Sequence, residues 1–213
     1  MTHAVMEENT RLLLGACEDA VREAYNEIRV TLAARFRECG LTSPVVGVTS
    51  AGGEDGHRYL AANLAVAYAR LGKRVLLADA DFRGEGLLPI LSDAEEAPGL
   101  TDALRGGAPV YVALPCEGLT FLSRGSQPEN AADLLGSPAL TQFFAKLCEN
   151  FDLVIVNLPS AHAYADAATA AAALDGVVVG VAINEDRHKD LRRALYMLET
   201  AALPIFGMVA LDK

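Results

Sequence analysis

Between Val21 and Phe36 the apolar residues Val21, Tyr25, Ile28, Leu32 and Phe36 step by four, three, four and four. That spacing places them on one face of an amphipathic helix, predicted over 17 to about 37 and closed off by Gly40 and Pro44. Beyond it, short apolar runs alternate with helical periods. Strands are expected over 45–49, 74–78, 119–122, 153–156, 177–183 and 205–211. Helices are expected over 58–71 (Leu60, Leu64, Ala67 and Leu71 on one side), 138–149 with Ser137 as N-cap, the Ala-rich 164–174, and 189–201. The run Leu153-Val154-Ile155-Val156 is apolar throughout, as a strand covered on both faces must be. The alternation predicts an α/β fold, a mainly parallel sheet flanked by helices on both faces. Residues 1–16 read as a loosely ordered lead-in and 17–213 as one domain. No repeat, linker or second domain is visible.

Composition narrows the function. The chain has 213 residues, 52% of them apolar, enough for one domain with a substantial core. A net charge of −10 argues against general nucleic-acid binding. The cluster of Arg70, Lys73 and Arg74 leaves room for a local basic patch. Cys17, Cys39, Cys116 and Cys148 are scattered without zinc or redox spacing, as in a cytosolic protein with reduced, mostly packed thiols. No segment has the length and apolarity of a membrane span. The Leu12–Cys17 run only superficially resembles a lipoprotein cleavage site, because Glu7 and Glu8 precede it and the run is short.

Chemistry concentrates after the strand at 45–49. Residues 45–59 read as strand, glycine-rich turn and helix start, the architecture of a phosphate-binding P-loop. A working loop, G-x-x-x-x-G-K-[ST], uses its Lys on the β/γ-phosphates and its hydroxyl on Mg²⁺. Here His57 stands in the place of the Lys and Arg58 in that of the hydroxyl, followed by Tyr59. Gly52, Gly53 and Gly56 keep part of the turn, while Glu54 and Asp55 bring negative charge to it. Arg58 can pair with phosphate but cannot ligate a metal. His57 offers a proton-dependent charge with a shorter reach than Lys.

Two further strand ends carry polar groups. Asp79 and Asp81, in Ala78-Asp79-Ala80-Asp81-Phe82-Arg83, are a pair able to hold Mg²⁺, or to cap their own loop with Arg83 as an ion partner. The apolar strand at 153–156 ends in Asn157, where a P-loop enzyme has a metal-organising Asp. An amide oxygen is a much poorer magnesium ligand than a carboxylate.

From Glu23 onward these motifs, in this order, resemble the bacterial tyrosine kinases of capsule and exopolysaccharide export. The family's T-S-x-x-P-G-E-G-K-[ST]-[ST]-x-x-A-N-L-A is met by Thr49-Ser50 and Ala62-Asn63-Leu64-Ala65. Its second motif is met by Gly72-Lys73-Arg74-Val75-Leu76-Leu77 and Asp79-Ala80-Asp81-Phe82-Arg83. Gly99-Leu100-Thr101-Asp102-Ala103-Leu104 with Gly106, and Pro128-Glu129-Asn130 through Ser137-Pro138, match two more. The departures fall on chemistry: His57, Arg58 and Tyr59 replace Lys, Ser and Thr. Glu54 replaces a loop glycine, Asn157 an Asp, and Ser160 a Pro. The C-terminal residues Leu211-Asp212-Lys213 contain none of the family's clustered tyrosines. Its ring-forming E-x-x-R-x-x-R appears as Glu23, Asn26 and Arg29, so the N-terminal helix (17–40) is a candidate oligomerisation element through Glu23 and Arg29.

The resemblance implies a P-loop NTPase-like fold and, with these losses, a pseudokinase: a scaffold or regulator in exopolysaccharide or capsule biosynthesis. In that reading no cofactor or metal is bound, and Asp79 and Asp81 are remnants. The implied partners are an inner-membrane polysaccharide co-polymerase or another synthesis component, an active kinase homologue, or further copies of the chain. The location implied is cytoplasmic, at the inner membrane by way of a partner. The alternative is an unorthodox kinase or ATPase that binds ATP and Mg²⁺ through Asp79 and Asp81, with His57 or Arg58 replacing the Lys. Kinship with partitioning and cell-division ATPases is the third reading. It meets the same missing Lys, and no basic amphipathic C-terminal helix is apparent.

Overall fold

The computed structural model describes residues 3–5, 12–14, 19–52, 56–91, 97–183 and 185–212. Cys17, Gly53, Glu54 and Asp55 therefore lie outside the described residues. In chain order the strands are β1 (His3–Val5), β2 (Val45–Ser50), β3 (Val75–Asp79), β4 (Tyr111–Ala113), β5 (Leu119–Leu122), β6 (Leu153–Asn157), β7 (Gly176–Ala182) and β8 (Ile205–Asp212). The helices are α1 (Asp19–Glu38), α2 (Gly56–Ala69), α3 (Leu88–Leu91), α4 (Leu100–Leu104), α5 (Ala131–Leu135), α6 (Pro138–Leu147), α7 (Asp166–Thr169) and α8 (His188–Thr200), with a 3₁₀ turn at Ala170–Ala173.

All eight strands form one sheet in the order β1-β8-β7-β2-β6-β3-β5-β4. Every pairing is parallel except β4 with β5. The α/β expectation holds: residues alternate between the faces of each central strand, so each strand feeds two cores. On one face Val46, Val48, Leu77, Ile155 and Val178 meet α1 and α2. On the other, Val45, Leu76, Val154, Val156 and Val177 meet α6 and α8. The five residues that predicted α1 are all buried. Phe36 caps their stripe by packing edge-on against Phe206 of β8 at 5.6 Å.

Three differences from the sequence reading have local causes. In the stretch taken as a lead-in, His3–Val5 adds a parallel strand to β8. Leu13 is buried, its N–H donating to Asn63 Oδ1 at 2.8 Å. Leu71 lies beyond the end of α2, 54% exposed, because Gly72 turns the chain with φ +75°. The Ala-rich helix over 164–174 is a single α turn followed by a 3₁₀ turn. Alanine favours helix but supplies no packing to hold a longer one. Among the described residues, no helix is long and apolar enough to cross a membrane.

Candidate functional site

In a sheet of this kind the ligand crevice lies at the carboxyl ends of the strands. The ends of β2, β3 and β6 lie side by side there, with Val48 opposite Asn157 and Asn157 opposite Asp79. The register thus brings together residues that are 78 positions apart in sequence.

Asp79 is buried, and both of its oxygens accept hydrogen bonds from protein donors. Its Oδ1 accepts the Asp81 N–H at 3.1 Å and the Asn157 Nδ2 amide at 2.9 Å, and its Oδ2 accepts the Leu87 N–H at 2.6 Å. Burial pushes its pKa up to about 6 despite these three bonds. Gly86 passes so close that a Cβ there would lie 2.3 Å from Asp79 Oδ2, and its φ of +69° also favours glycine. The amide oxygen of Asn157 is buried and finds no hydrogen-bond donor among the described residues.

Asp81 holds the next turn. Its Oδ1 accepts the N–H groups of Arg83 (3.0 Å) and Gly84 (2.8 Å), an Asx-type turn. Its Oδ2 stands 3.8 Å from Nε2 of His57, both side chains being buried. Burial would raise the Asp81 pKa, but the His57 ring and the two backbone donors outweigh it and hold the carboxyl below its usual range. The two aspartates together therefore fix the loop from Ala80 to Leu87. Gln127 Nε2, donating to the Phe82 carbonyl at 2.7 Å, and Arg124, donating to that of Gly84 at 2.7 Å, brace it from the other side.

Arg58 closes the same loop from α2. Its buried guanidinium donates through Nη1 to the Gly86 carbonyl (3.1 Å) and to the Glu85 carboxylate (3.2 Å). Tyr59 turns from the crevice and packs against the α1/α2 core. Gly56 begins α2, where a Cβ would press on Leu211 at 2.7 Å.

Two contacts at Gly52 escaped the sequence reading. A Cβ on Gly52 would lie 1.4 Å from Asp186 Oδ1, so the loop after β7 sets its carboxylate against the turn. The Asp186 carboxylate also accepts the Ala182 N–H at 2.8 Å. The Gly52 carbonyl accepts the hydroxyls of Ser50 (3.0 Å) and Ser160. Ser160 Oγ is also 2.8 Å from Nδ1 of His162.

The remaining matched motifs make local hydrogen bonds. Asp102 accepts the Gly99 N–H at 2.8 Å at the start of α4 and ties in Ser126, and Asn130 caps α5. Glu23 and Arg29, six residues apart on α1, do not share a face. Glu23 is exposed and accepts from Asn26 at 3.4 Å. Arg29 is half-buried, its carbonyl accepting the Tyr68 hydroxyl at 3.2 Å.

A mainly parallel sheet flanked by helices, with α2 starting at Gly56 after β2, defines a P-loop NTPase-like protein. The sequence matches no family model. The EpsB protein of Ralstonia solanacearum is 32% identical over 205 residues, covering 92% of this chain and 26% of its own length. The tyrosine-protein kinase YwqD of Bacillus subtilis is 31% identical over 193 residues, covering 88% of this chain and 79% of its own. The solved BceF tyrosine kinase domain superposes with a TM-score of 0.80 at 26% identity, over 92% of this chain and 78% of that one. The chain belongs to the bacterial tyrosine-protein kinase family. It spans about a quarter of the length of EpsB.

Proposed function

We propose that this chain is a catalytically inactive member of its family, working as a nucleotide-independent scaffold or regulator in exopolysaccharide or capsule biosynthesis. The observation that carries the reading is Arg58. At the position of the metal-binding hydroxyl stands a buried cation bonded to Gly86 and Glu85. A guanidinium has no lone pair for a metal, and phosphoryl transfer depends on cations placed around the phosphates. The donor set does not fit Mg²⁺-nucleotide: Asp79 spends both oxygens on protein donors, and Asn157 brings an amide. The retained Asp79 and Asp81 have a structural task, holding the loop after β3. Binding then becomes the protein's work, with an inner-membrane polysaccharide co-polymerase, another synthesis component or an active kinase homologue as partner, or further copies through α1. That partner would bring a cytoplasmic protein to the inner membrane.

Isothermal titration with ATP and ADP, with and without Mg²⁺, tests this against an unorthodox ATP-binding kinase or ATPase. The comparison is a variant carrying Glu54→Gly, His57→Lys, Arg58→Ser, Tyr59→Thr and Asn157→Asp. No heat from the natural protein, with binding by the folded variant, is the expected result. Magnesium-dependent binding by the natural protein would overturn it.

A further inference from the structure

The outer face of α8 is positively charged in an acidic protein. Lys189, Arg192, Arg193 and Tyr196 recur at i, i+3, i+4 and i+7, which is one helical stripe, and all four are exposed. Arg187, the exposed N-cap, adds a further cation at the start of the helix. The buried residues Ala194 and Leu198 face the sheet from the opposite side.

Four arginines elsewhere find acids: Arg22 with Asp19, Arg35 with Glu38, Arg74 with Asp152 and Arg83 with Asp166. Among the described residues, Arg187, Lys189, Arg192 and Arg193 make no ion pair or side-chain hydrogen bond. Residues 187–193 hold four cations and one acid (Asp190), a net +3, so the other residues must sum to −13 to give the total of −10. The placement also does α8 no service. The start of a helix is the positive end of its dipole and favours acids; Asp190 stands there, but so do Arg187, His188 and Lys189.

We infer that the outer face of α8 is a docking surface for an anionic phospholipid bilayer. Charge complementarity selects the sign of the partner, and the shape of the surface selects its form. The stripe is the convex outside of a helix, presenting its cations at one level to a plane of headgroup phosphates, with Tyr196 among them as an interfacial aromatic. The rest of the molecule is net acidic, with exposed Glu185 and Glu199 flanking the cations. Repulsion from it fades over a Debye length of about 8 Å at physiological salt.

The test is flotation of the whole protein with vesicles of phosphatidylcholine alone or carrying about 40% phosphatidylglycerol. The natural protein should float with the anionic vesicles at least about tenfold more than with the neutral ones, and should lose this as salt rises to about 0.5 M. The variant K189E/R192E/R193E should lose the preference while its melting temperature stays level or rises, because acids suit the start of α8. Equal flotation with both vesicles, or a preference kept by the folded variant, would overturn the inference. Binding to polyglutamate without binding to anionic vesicles would also overturn it, in favour of an acidic polypeptide as the occupant.

Discussion

Asp79 and Asn157 sit opposite one another on adjacent parallel strands, and the amide of one donates to the carboxylate of the other at 2.9 Å. The contact joins the family's second and third motifs directly. Asn157→Asp should therefore set two buried carboxylates against each other, and one would have to stay protonated. We expect a loss of about 3 kcal/mol, larger at pH 8 than at pH 5, in urea unfolding. An unchanged midpoint at both pH values would refute the direct contact.

Asp79 also gives the stability a pH dependence of defined sign. Its folded pKa, about 6, lies above the ordinary 3.8, so the native state holds the proton longer than the unfolded one. Its contribution is greatest below the unfolded pKa and is lost as pH rises through 6, at most about 3 kcal/mol. Asp79→Asn removes this titration. Relative to the natural protein, the variant should gain stability between pH 4 and pH 7, and parallel curves would show that Asp79 does not titrate there. The variant should still bind the same partner if the site is inactive.

Arg58→Ala should cost about 2 kcal/mol, removing charged hydrogen bonds and leaving the Gly86 carbonyl without that donor. Amide exchange should quicken over Gly84 to Leu87 first. Quickening confined to α2 would place the role of Arg58 elsewhere.

Gly52→Ala should be destabilising, since its Cβ meets the Asp186 carboxylate. Adding Asp186→Ala should recover part of the loss, a positive coupling in a double-mutant cycle. Strictly additive effects would mean that the two positions are not in contact.

If α1 carries an interface through Glu23 and Arg29, Arg29→Ala should lower the mass seen by light scattering. A mass equal to that of the natural protein would dismiss the interface.

The buried strands were legible because a strand covered on both faces must be apolar throughout, as at Leu153 to Val156. α1 was legible because its five buried residues keep a helical period over 16 residues. The helices α3, α4 and α5, at four or five residues each, are too short to show a period. At the site, motif order foretold that Asp79, Asn157 and the start of α2 would converge. It did not foretell that Arg58 reaches Gly86, or that Asp186 lies on Gly52. Both depend on loop paths between distant segments, which no local pattern encodes. Sequence left the retention of Asp79 and Asp81 unexplained because their partners are backbone N–H groups, which every sequence supplies. The α8 stripe was visible as Arg187, Lys189, Arg192 and Arg193, but only solvent exposure and the lack of acid partners set it apart from an ordinary charged helix face.

The sheet order has a consequence for the chain during its own synthesis. β2 is flanked by β6 and β7, and its first residue pairs with Val154, 109 positions later. At about 5–20 residues per second, the ribosome needs roughly 5–20 seconds to deliver that neighbour. For all that time an apolar strand with both edges open waits in the nascent chain, exposed to every other unpaired edge in its surroundings.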